Sequence, residues 1–288
     1  MQDTQALIQR LNRSGGNLSK GHRRIAEYIA NHYDKAVFMT AAILGKNCAV
    51  SESTVVRFAA AMGYAGYPEL QTALQELVRQ QLTAEQRFAI AAEINETDVL
   101  RTVLKNDAQH IRATMEGMNP SAFDAAVHCL LEARKVYIVG LRSAAPLAQF
   151  FSHYLRLILG EVVLIQSNAG DVLEEIMRIG PKDVLVGISF PRYSTRTLEC
   201  MAFAKEKGAQ VIGLTDGELS PIFAAAHVCL CAQTDMASFV DSLAAPLSVI
   251  NALIVSLGLH KREELTDHFK QLEGIWHAQR VYINKENE

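Results

Sequence analysis

The sequence predicts an α/β protein in which an amino-terminal all-α domain is joined to a doubly wound domain with a five-stranded parallel sheet. Before residue 78, apolar residues recur at helical spacing between capping residues. From Lys135 onward, they form five short, nearly continuous runs rich in β-branched side chains. Such runs are typical of strands buried on both faces, in a parallel sheet covered by helices. A length of 288 residues accommodates two such domains.

The amino-terminal domain is predicted to contain three short helices. Ser19 can begin a helix that ends near His32, and Thr40 and Ser51 can cap the next two. The third helix has an inward stripe and ends before Gly63, where a left-handed residue is expected; the stripe comprises Val55, Phe58, Ala59 and Met62.

A turn of about four residues, NCAV, separates the second helix from the third, as a helix-turn-helix requires. In that motif the second helix lies in the major groove of DNA. Arg57 can make a bidentate contact to guanine or bind a phosphate. Tyr64 can contact the DNA backbone or pack in the core. The candidate DNA-contacting residues are Lys46, Ser51, Ser53, Thr54, Arg57 and Tyr64.

Charge permits this reading without requiring it. Residues 1–77 contain eight Lys or Arg against six Asp or Glu, whereas the whole chain has a net charge of -3. A bundle of three helices that binds a protein instead of DNA remains an alternative. The two differ in their dependence on Arg57 and on salt, because only a DNA contact should require both.

The remaining boundaries follow from composition and capping. Residues 78–118 are predicted to be a connector that leads into a partly exposed helix from about Thr97. Asn119 and Pro120 begin a further helix, so residues 119–260 form the α/β domain. Residues 261–288 predict an amphipathic helix that packs on its own domain or on a second subunit, with an apolar face of Leu265, Phe269, Leu272 and Trp276.

Two loops are candidates for a binding site, because ligands of doubly wound sheets lie at the carboxyl ends of the strands. GLRSAA follows the first predicted strand and SFPRYSTRT the third. Hydroxyls, arginines and free backbone amides before a helix are suited to an anion such as phosphate, although serines are also ordinary helix caps. The candidate effector-binding residues are Arg142, Ser143, Ser189, Arg192, Tyr193, Ser194 and Thr195.

These motifs resemble a known family. Residues 40–70 are similar to the helix-turn-helix of the RpiR/MurR transcriptional regulators, with its motif SxxTVxRFxxxxGxxGYxEL. Residues from about 125 to 260 resemble the sugar isomerase (SIS) domain of those regulators, with GLRSAA, ISFPRYSTRTLE and LTDGELSPIFAAAH in order. The resemblance implies a regulator that binds operator DNA as a homodimer or homotetramer and responds to a phosphorylated sugar or a related acid.

The sequence departs from the family in both loops. The family often has GxGxS and SxSGxT, whereas Arg142 and Arg192 replace one glycine in each loop, and Ala144 and Pro191 replace hydroxyl residues. Without these glycines a phosphate can approach the loop backbone less closely, and each arginine adds a positive charge to the loop. An anionic ligand is still expected. The alternatives are a sugar phosphate and a carboxylated or amino-substituted sugar derivative.

The main alternative is an aldose-ketose isomerase, because SIS domains also occur in such enzymes. That reaction needs a positioned base, and the candidates are Glu174, Glu175, His153 and His227. No cofactor is expected. Five scattered cysteines without metal-ligand spacing favour buried thiols over a metal site or disulfides, and the sequence shows neither a signal peptide nor a membrane span. A cytoplasmic protein is therefore expected.

Overall fold

The computed structural model describes residues 18–37, 39–79, 85, 88, 98–166, 172–234 and 240–282. The described residues before 98 belong to one compact unit and those from 98 onward to a second. The residues between 80 and 97, apart from 85 and 88, lie outside the description, as do the chain ends and the segment 235–239.

The first unit is all-α, as predicted. Ser19 and Thr40 accept the predicted capping hydrogen bonds from the backbone N–H groups of His22 and Ile43. Ser51 occupies the N-cap position of its helix but makes no capping bond. The helices are α1 (Lys20–Asn31), α2 (Tyr33–Ala36), α3 (Ala41–Asn47), α4 (Glu52–Ala61) and α5 (Tyr67–Arg79).

A hydrophobic core holds these helices together. Val55, Phe58 and Ala59 of α4 are fully buried, and Met62 packs against the same cluster, which confirms the predicted inward stripe. The Tyr67 hydroxyl donates a hydrogen bond to the Met39 carbonyl at 2.6 Å. This bond fixes the start of α5 against the segment before α3.

The second unit contains the predicted parallel sheet. Its strand order is β2-β1-β3-β4-β5, and every neighbouring pair is parallel. Each of the five apolar runs identified in the sequence forms one strand. The strands are β1 (Lys135–Gly140), β2 (Val162–Ile165), β3 (Asp183–Ile188), β4 (Gln210–Thr215) and β5 (Val228–Cys231).

Helices cover both faces of the sheet, and a separate apolar cluster fills each side. Asn119 begins its helix as predicted, because its side-chain oxygen accepts hydrogen bonds from the N–H groups of Ser121 and Ala122. The helices are α6 (Val99–Gly117), α7 (Pro120–Glu132), α8 (Ala145–Ile158), α9 (Val172–Glu175), α10 (Thr195–Glu206), α11 (Pro221–Ala225), α12 (Ala244–His260) and α13 (Arg262–Ala278).

The strand order has one switch point, between β1 and β3. From β1 the chain moves outward to β2 on one side, and from β3 it moves outward to β4 and β5 on the other. Ligands of such sheets bind in the crevice at this point, beyond the carboxyl ends of the strands. The two loops singled out in the sequence follow the two strands that border it.

An ion pair stabilises the opposite, amino-terminal edge of the sheet. The Arg134 guanidinium donates to both carboxylate oxygens of Asp183, at 2.8 and 2.7 Å, and the Gly180 N–H donates a third bond at 2.9 Å. Burial raises the pKa of Asp183, but these bonds and the nearby positive charges outweigh burial and hold the pKa below its usual value.

The carboxyl-terminal helix α13 buries only Leu265 among its side chains. Leu272 and Trp276 are half-buried, and the Trp276 ring meets that of Tyr282 edge to face. Among the described residues, no single helix is both long and apolar enough to cross a membrane; α12 and α13 meet that test only as a pair bent by 100°.

Candidate functional site

The first candidate site is the outward face of α4. The four-residue connection from α3 turns sharply because Ala49 adopts a left-handed backbone with φ of 52°. The Val50 N–H then bonds to the Gly45 carbonyl at 2.9 Å. A Cβ at Gly45 would lie 3.0 Å from the Val50 carbonyl oxygen, so this glycine allows the turn to pack against α3. The predicted helix-turn-helix is therefore present in the fold.

Polar groups of this face are linked to one another. The Ser51 hydroxyl lies 2.9 Å from that of Ser53 and 2.8 Å from that of Thr54. The Arg57 Nε donates to the Ser53 carbonyl at 3.2 Å. Three hydroxyls therefore cluster at the amino-terminal end of α4, and the Arg57 side chain is anchored one turn further on.

The remaining candidates of the first unit differ in exposure. Lys46 is exposed in the last turn of α3. Tyr64 is half-buried and packs against the core of the unit. Of the two readings of Tyr64, the structure therefore favours core packing.

The second candidate site lies at the switch point of the sheet. After β1, Arg142 and Ser143 are exposed in a short 3-10 turn that leads into α8. Arg142 has a left-handed backbone with φ of 56°. A Cβ at Gly140 would come within 2.9 Å of both the Ala144 carbonyl oxygen and the Ala148 side chain, so only glycine permits this close packing of the loop.

The loop after β3 is organised by its serines. Ser189 is buried, and its hydroxyl accepts a hydrogen bond from the Ser194 N–H at 3.0 Å. The Ser194 hydroxyl accepts from the Thr197 N–H at 3.3 Å and so caps α10. Thr195 is exposed at the first position of that helix. The two serines thus shape the loop, and Thr195 is left at its surface.

Arg192 is exposed in the same loop and has a left-handed backbone with φ of 66°. Both loops therefore contain an arginine in a conformation that favours glycine. These are the two positions at which the sequence has arginine in place of a family glycine. The backbone has kept a glycine-like shape while each side chain has gained a charge.

Residues at the carboxyl end of β4 and just after it also border this second candidate site. Sequence patterns did not identify Thr215, Asp216 and Ser220 individually. The Tyr193 hydroxyl donates to Asp216 Oδ1 at 2.8 Å, and the Thr215 hydroxyl donates to the same oxygen at 3.1 Å. The hydroxyls of Thr215 and Ser220 lie 2.7 Å apart. The available signal was the segment LTDGELSP, whose polar residues directly follow a buried strand.

Two cysteines lie side by side on β5. Cys229 and Cys231 are partly buried, and a hydrogen bond between their thiols raises the pKa of Cys229 and lowers that of Cys231. All five cysteines are free thiols, of which Cys48 and Cys200 are buried and the other three are partly buried. Within the part of the chain that the structure describes, no group of three or more His, Cys, Asp or Glu side chains is placed to hold a metal ion.

The candidate bases of an isomerase do not gather at the switch point. His227 lies at the amino end of β5, the edge opposite the serine loops, and accepts a hydrogen bond from the Val211 N–H at 3.1 Å. His153 is exposed on α8. Glu174 and Glu175 are the last two residues of the short helix α9, and Glu175 accepts the Gln166 N–H at 3.3 Å.

Comparison with known families and structures agrees with this architecture. Residues 5–81 match the model of the helix-turn-helix domain, rpiR family, and residues 129–256 match that of the SIS domain. The transcriptional regulator HexR of Pseudomonas aeruginosa is 27% identical over 98% of this chain and 99% of its own length.

Two solved structures share the fold. The sugar isomerase domain of an RpiR transcription factor from Sphaerobacter thermophilus is 24% identical, with a TM-score of 0.59 over 61% of this chain and 98% of that one. The NanR protein of Vibrio vulnificus, complexed with ManNAc-6P, is 19% identical, with a TM-score of 0.59 over 96% of this chain and 100% of that one.

The two family models follow one another in the same order as the two structural units, and the HexR proteins of Pseudomonas aeruginosa and Escherichia coli, which match along most of the chain, are transcriptional regulators. The chain belongs to the RpiR family and is a transcriptional regulator with an amino-terminal helix-turn-helix and a SIS domain.

Proposed function

We propose that α4 lies in the major groove of operator DNA, and that an anionic sugar derivative bound at the switch point of the sheet changes the affinity for that DNA. The proposal has two halves, DNA binding and effector binding. The observation that supports effector binding is the pair of arginines with left-handed backbones, Arg142 and Arg192. The observation that supports DNA binding is the polar outward face of α4. Because a regulator of this kind acts on the chromosome, we expect the chain to act in the cytoplasm.

The amino-terminal end of α4 suits a phosphate of the DNA backbone. Ser51, Ser53 and Thr54 present three linked hydroxyls there, and helix amino termini attract anions. Arg57 lies one turn further along the helix. Its Nε donates to the Ser53 carbonyl, so the two terminal nitrogens of the guanidinium are the groups that can contact a guanine edge. Lys46 adds a second positive charge next to the turn.

A salt titration of duplex binding tests this half. Fragments from the gene's own upstream region are compared with random duplex for the wild type, Arg57→Ala and Arg24→Ala. Arg24 is an exposed arginine of α1, so its loss removes one charge from the same unit without touching α4. We expect the wild type to prefer one fragment, Arg57→Ala to lose that preference by about 10- to 100-fold, and Arg24→Ala to keep it. Equal, weak binding of all fragments by the wild type would refute DNA recognition.

The effector half rests on backbone strain. A left-handed conformation costs a residue with a side chain about 1–2 kcal/mol, a cost that glycine avoids. Strain of this kind is concentrated at functional sites. Arg142 and Arg192 have this strained backbone on adjoining loops. We therefore expect their guanidinium groups to bind an anion.

The chemistry around them narrows the ligand class. Phosphate or carboxylate oxygens pair with guanidinium groups, and Thr195 at the start of α10 adds a hydroxyl and a helix amino terminus. Asp216 holds the Tyr193 hydroxyl at 2.8 Å and thereby fixes the loop that carries Arg192. A carboxylate so placed also accepts hydrogen bonds from sugar hydroxyl or amino groups.

Calorimetric titration tests the effector. ManNAc-6P is the first ligand to assay, because the NanR structure of the same fold contains it; the unphosphorylated sugar and a sugar acid follow. We expect binding of one anionic sugar that weakens at least tenfold in Arg142→Ala and in Arg192→Ala, with Arg178→Ala, an exposed arginine elsewhere in the unit, as the control. Binding that ignores both arginines would place the ligand elsewhere. A coupling of about 1–3 kcal/mol would change operator affinity about 5- to 150-fold.

We also propose that a second copy of the chain covers α6. This helix has an exposed apolar stripe of Leu100, Leu104, Ile111 and Met115. Leu100 and Met115 lie equally far from the midpoint between Asp107 and Ala108, and so do Leu104 and Ile111. An antiparallel pair of α6 helices related by a two-fold axis requires that symmetry, and small Ala108 permits close approach at its centre. Two copies also supply the two recognition helices that a paired operator site needs.

Sedimentation measures the oligomeric state. Leu104→Glu should dissociate the dimer, whereas Leu219→Glu, at an exposed leucine of the same unit outside the stripe, should not. A dimer that survives Leu104→Glu would assign the interface to another surface.

A further inference from the structure

The outward face of α4 contains a partly exposed apolar side chain that lies outside the core of the unit. Val56 is 44% exposed, whereas its neighbour Val55 is fully buried in the core. A β-branched residue is a poorer helix former than alanine. Helix propensity therefore does not account for a valine at this position, and burial in the core does not either.

Val56 lies at the centre of the candidate DNA-contacting face. One helical turn later Ala60 is exposed above it, and Ser53 and Arg57 flank it. The face is thus a small apolar patch formed by Val56 and Ala60, bordered by the Ser53 hydroxyl, the Arg57 guanidinium and the exposed Glu52 one turn before Val56.

The major groove presents one apolar group, the C5-methyl of thymine. We propose that Val56 contacts a thymine methyl in each half of the operator, and that Ala60 is small enough to let α4 approach the base edges. This inference rests on the proposed DNA binding and extends it by a specificity-determining residue. The recognised sequence then contains a thymine close to the base pair that Arg57 contacts.

The surroundings of the patch favour DNA over a protein partner. Two small side chains provide far less apolar area than a stable protein interface buries. Ser53 and Arg57 beside them can donate to phosphate and guanine, while the neighbouring Glu52 is acidic. Charge agrees, because residues 1–77 have eight basic against six acidic residues in a chain of net charge -3. A groove lined by phosphates is the complementary surface.

Uracil substitution tests the contact directly. Each thymine of the preferred fragment is replaced in turn by uracil, which pairs identically and lacks only the methyl group. Affinity is then measured for the wild type, Val56→Ala and Val281→Ala, the last at an exposed valine near the end of α13. Alanine is the better helix former, so Val56→Ala keeps the fold, which circular dichroism verifies.

The expected result is a loss of about three- to tenfold for the wild type and for Val281→Ala at one thymine in each half-site, which is the scale of one lost methyl contact. Val56→Ala should bind the unmodified fragment about as weakly as the wild type binds the fragment with uracil at that thymine. Uracil at the same position should cause no further loss of affinity for Val56→Ala. An equal uracil effect in wild type and Val56→Ala, or no effect at any thymine, would overturn the assignment while leaving fragment preference intact. If the wild type shows no preference for any fragment over random duplex, the DNA binding on which the assignment rests would be refuted.

Discussion

The two units of this protein differ in how they use a strained backbone. In the helix-turn-helix unit the strained residue is Ala49, whose side chain is a single methyl group. In the SIS unit Arg280 has a left-handed backbone just after the end of α13, and the strained residues of the two candidate loops are Arg142 and Arg192, whose side chains are long and charged. The first strain only makes a turn, whereas the second brings charge to a place where glycine would bring none. Under the proposed function, the strain at Arg142 and Arg192 serves a bound ligand, whereas the strain at Ala49 serves a chain reversal.

The largest effect should come from testing whether each unit has its own core. Phe58 is fully buried in the first unit, so Phe58→Ala should lower the free energy of unfolding of that unit by about 3–5 kcal/mol. Urea denaturation followed by limited proteolysis should show the first unit cleaved while the sheet domain resists. Phe269→Ala, at a partly exposed phenylalanine of α13, should cost far less. One joint transition for both units would contradict the separation.

The ion pair of the SIS unit gives the next effect. Asp183→Asn should lower the free energy of unfolding by about 2–3 kcal/mol at pH 7, because the substitution removes the buried carboxylate that accepts the bidentate bonds from Arg134 and the bond from the Gly180 N–H. The folded pKa of Asp183 is depressed. Its contribution is therefore fully present above the unfolded value of about 3.9 and is lost as pH falls through the folded pKa. The difference in urea midpoint between wild type and Asp183→Asn should be smaller at pH 3 than at pH 7; an equal difference at both pH values would show that the carboxylate charge is not its source.

Replacing a strained arginine sharpens the comparison itself. Arg192→Gly should raise the free energy of unfolding by about 0.5–1 kcal/mol, because release of the left-handed strain exceeds the added flexibility of the unfolded chain. The same change should weaken effector binding at least as much as Arg192→Ala does. Thermal melting and calorimetry on one preparation measure both quantities. A stabilised variant with unchanged ligand affinity would show that the arginine is not retained for binding.

Ala49→Gly should give the smallest effect. The same balance predicts a gain of about 0.5 kcal/mol in the free energy of unfolding of the first unit. Operator affinity should stay within twofold of the wild type, since a methyl group is all that is removed from the turn. A large loss of DNA binding would mean that the Ala49 side chain, and not only its backbone, contributes to the interface.

Several elements were predictable because their signals are local. Capping residues and helical spacing located α1, α3 and α4, and the β-branched runs located all five strands. Ser51 was placed correctly at the start of its helix, but its hydroxyl bonds to two neighbouring side chains instead of the backbone. That choice depends on side-chain rotamers, which sequence patterns do not specify.

The SIS site was only partly predictable. Both loops were found from hydroxyls and arginines that follow buried strands. Asp216 was missed as an individual residue because its role arises from a hydrogen bond to Tyr193, 23 positions away, which forms only when β3 and β4 are paired. His227 was a candidate base until the strand direction placed it at the opposite edge of the sheet.

The sequence by itself determined the two domain types, the helix-turn-helix, the parallel sheet and the family, because each rests on a short-range pattern of apolar residues, caps and turns. Only the tertiary structure decided that Arg142 and Arg192 have left-handed backbones on adjoining loops, that Ser189 shapes its loop from a buried position, and that Val56 is exposed at the centre of α4. Those properties depend on which strands are neighbours and which helix face is covered, and both are set by packing across the whole unit.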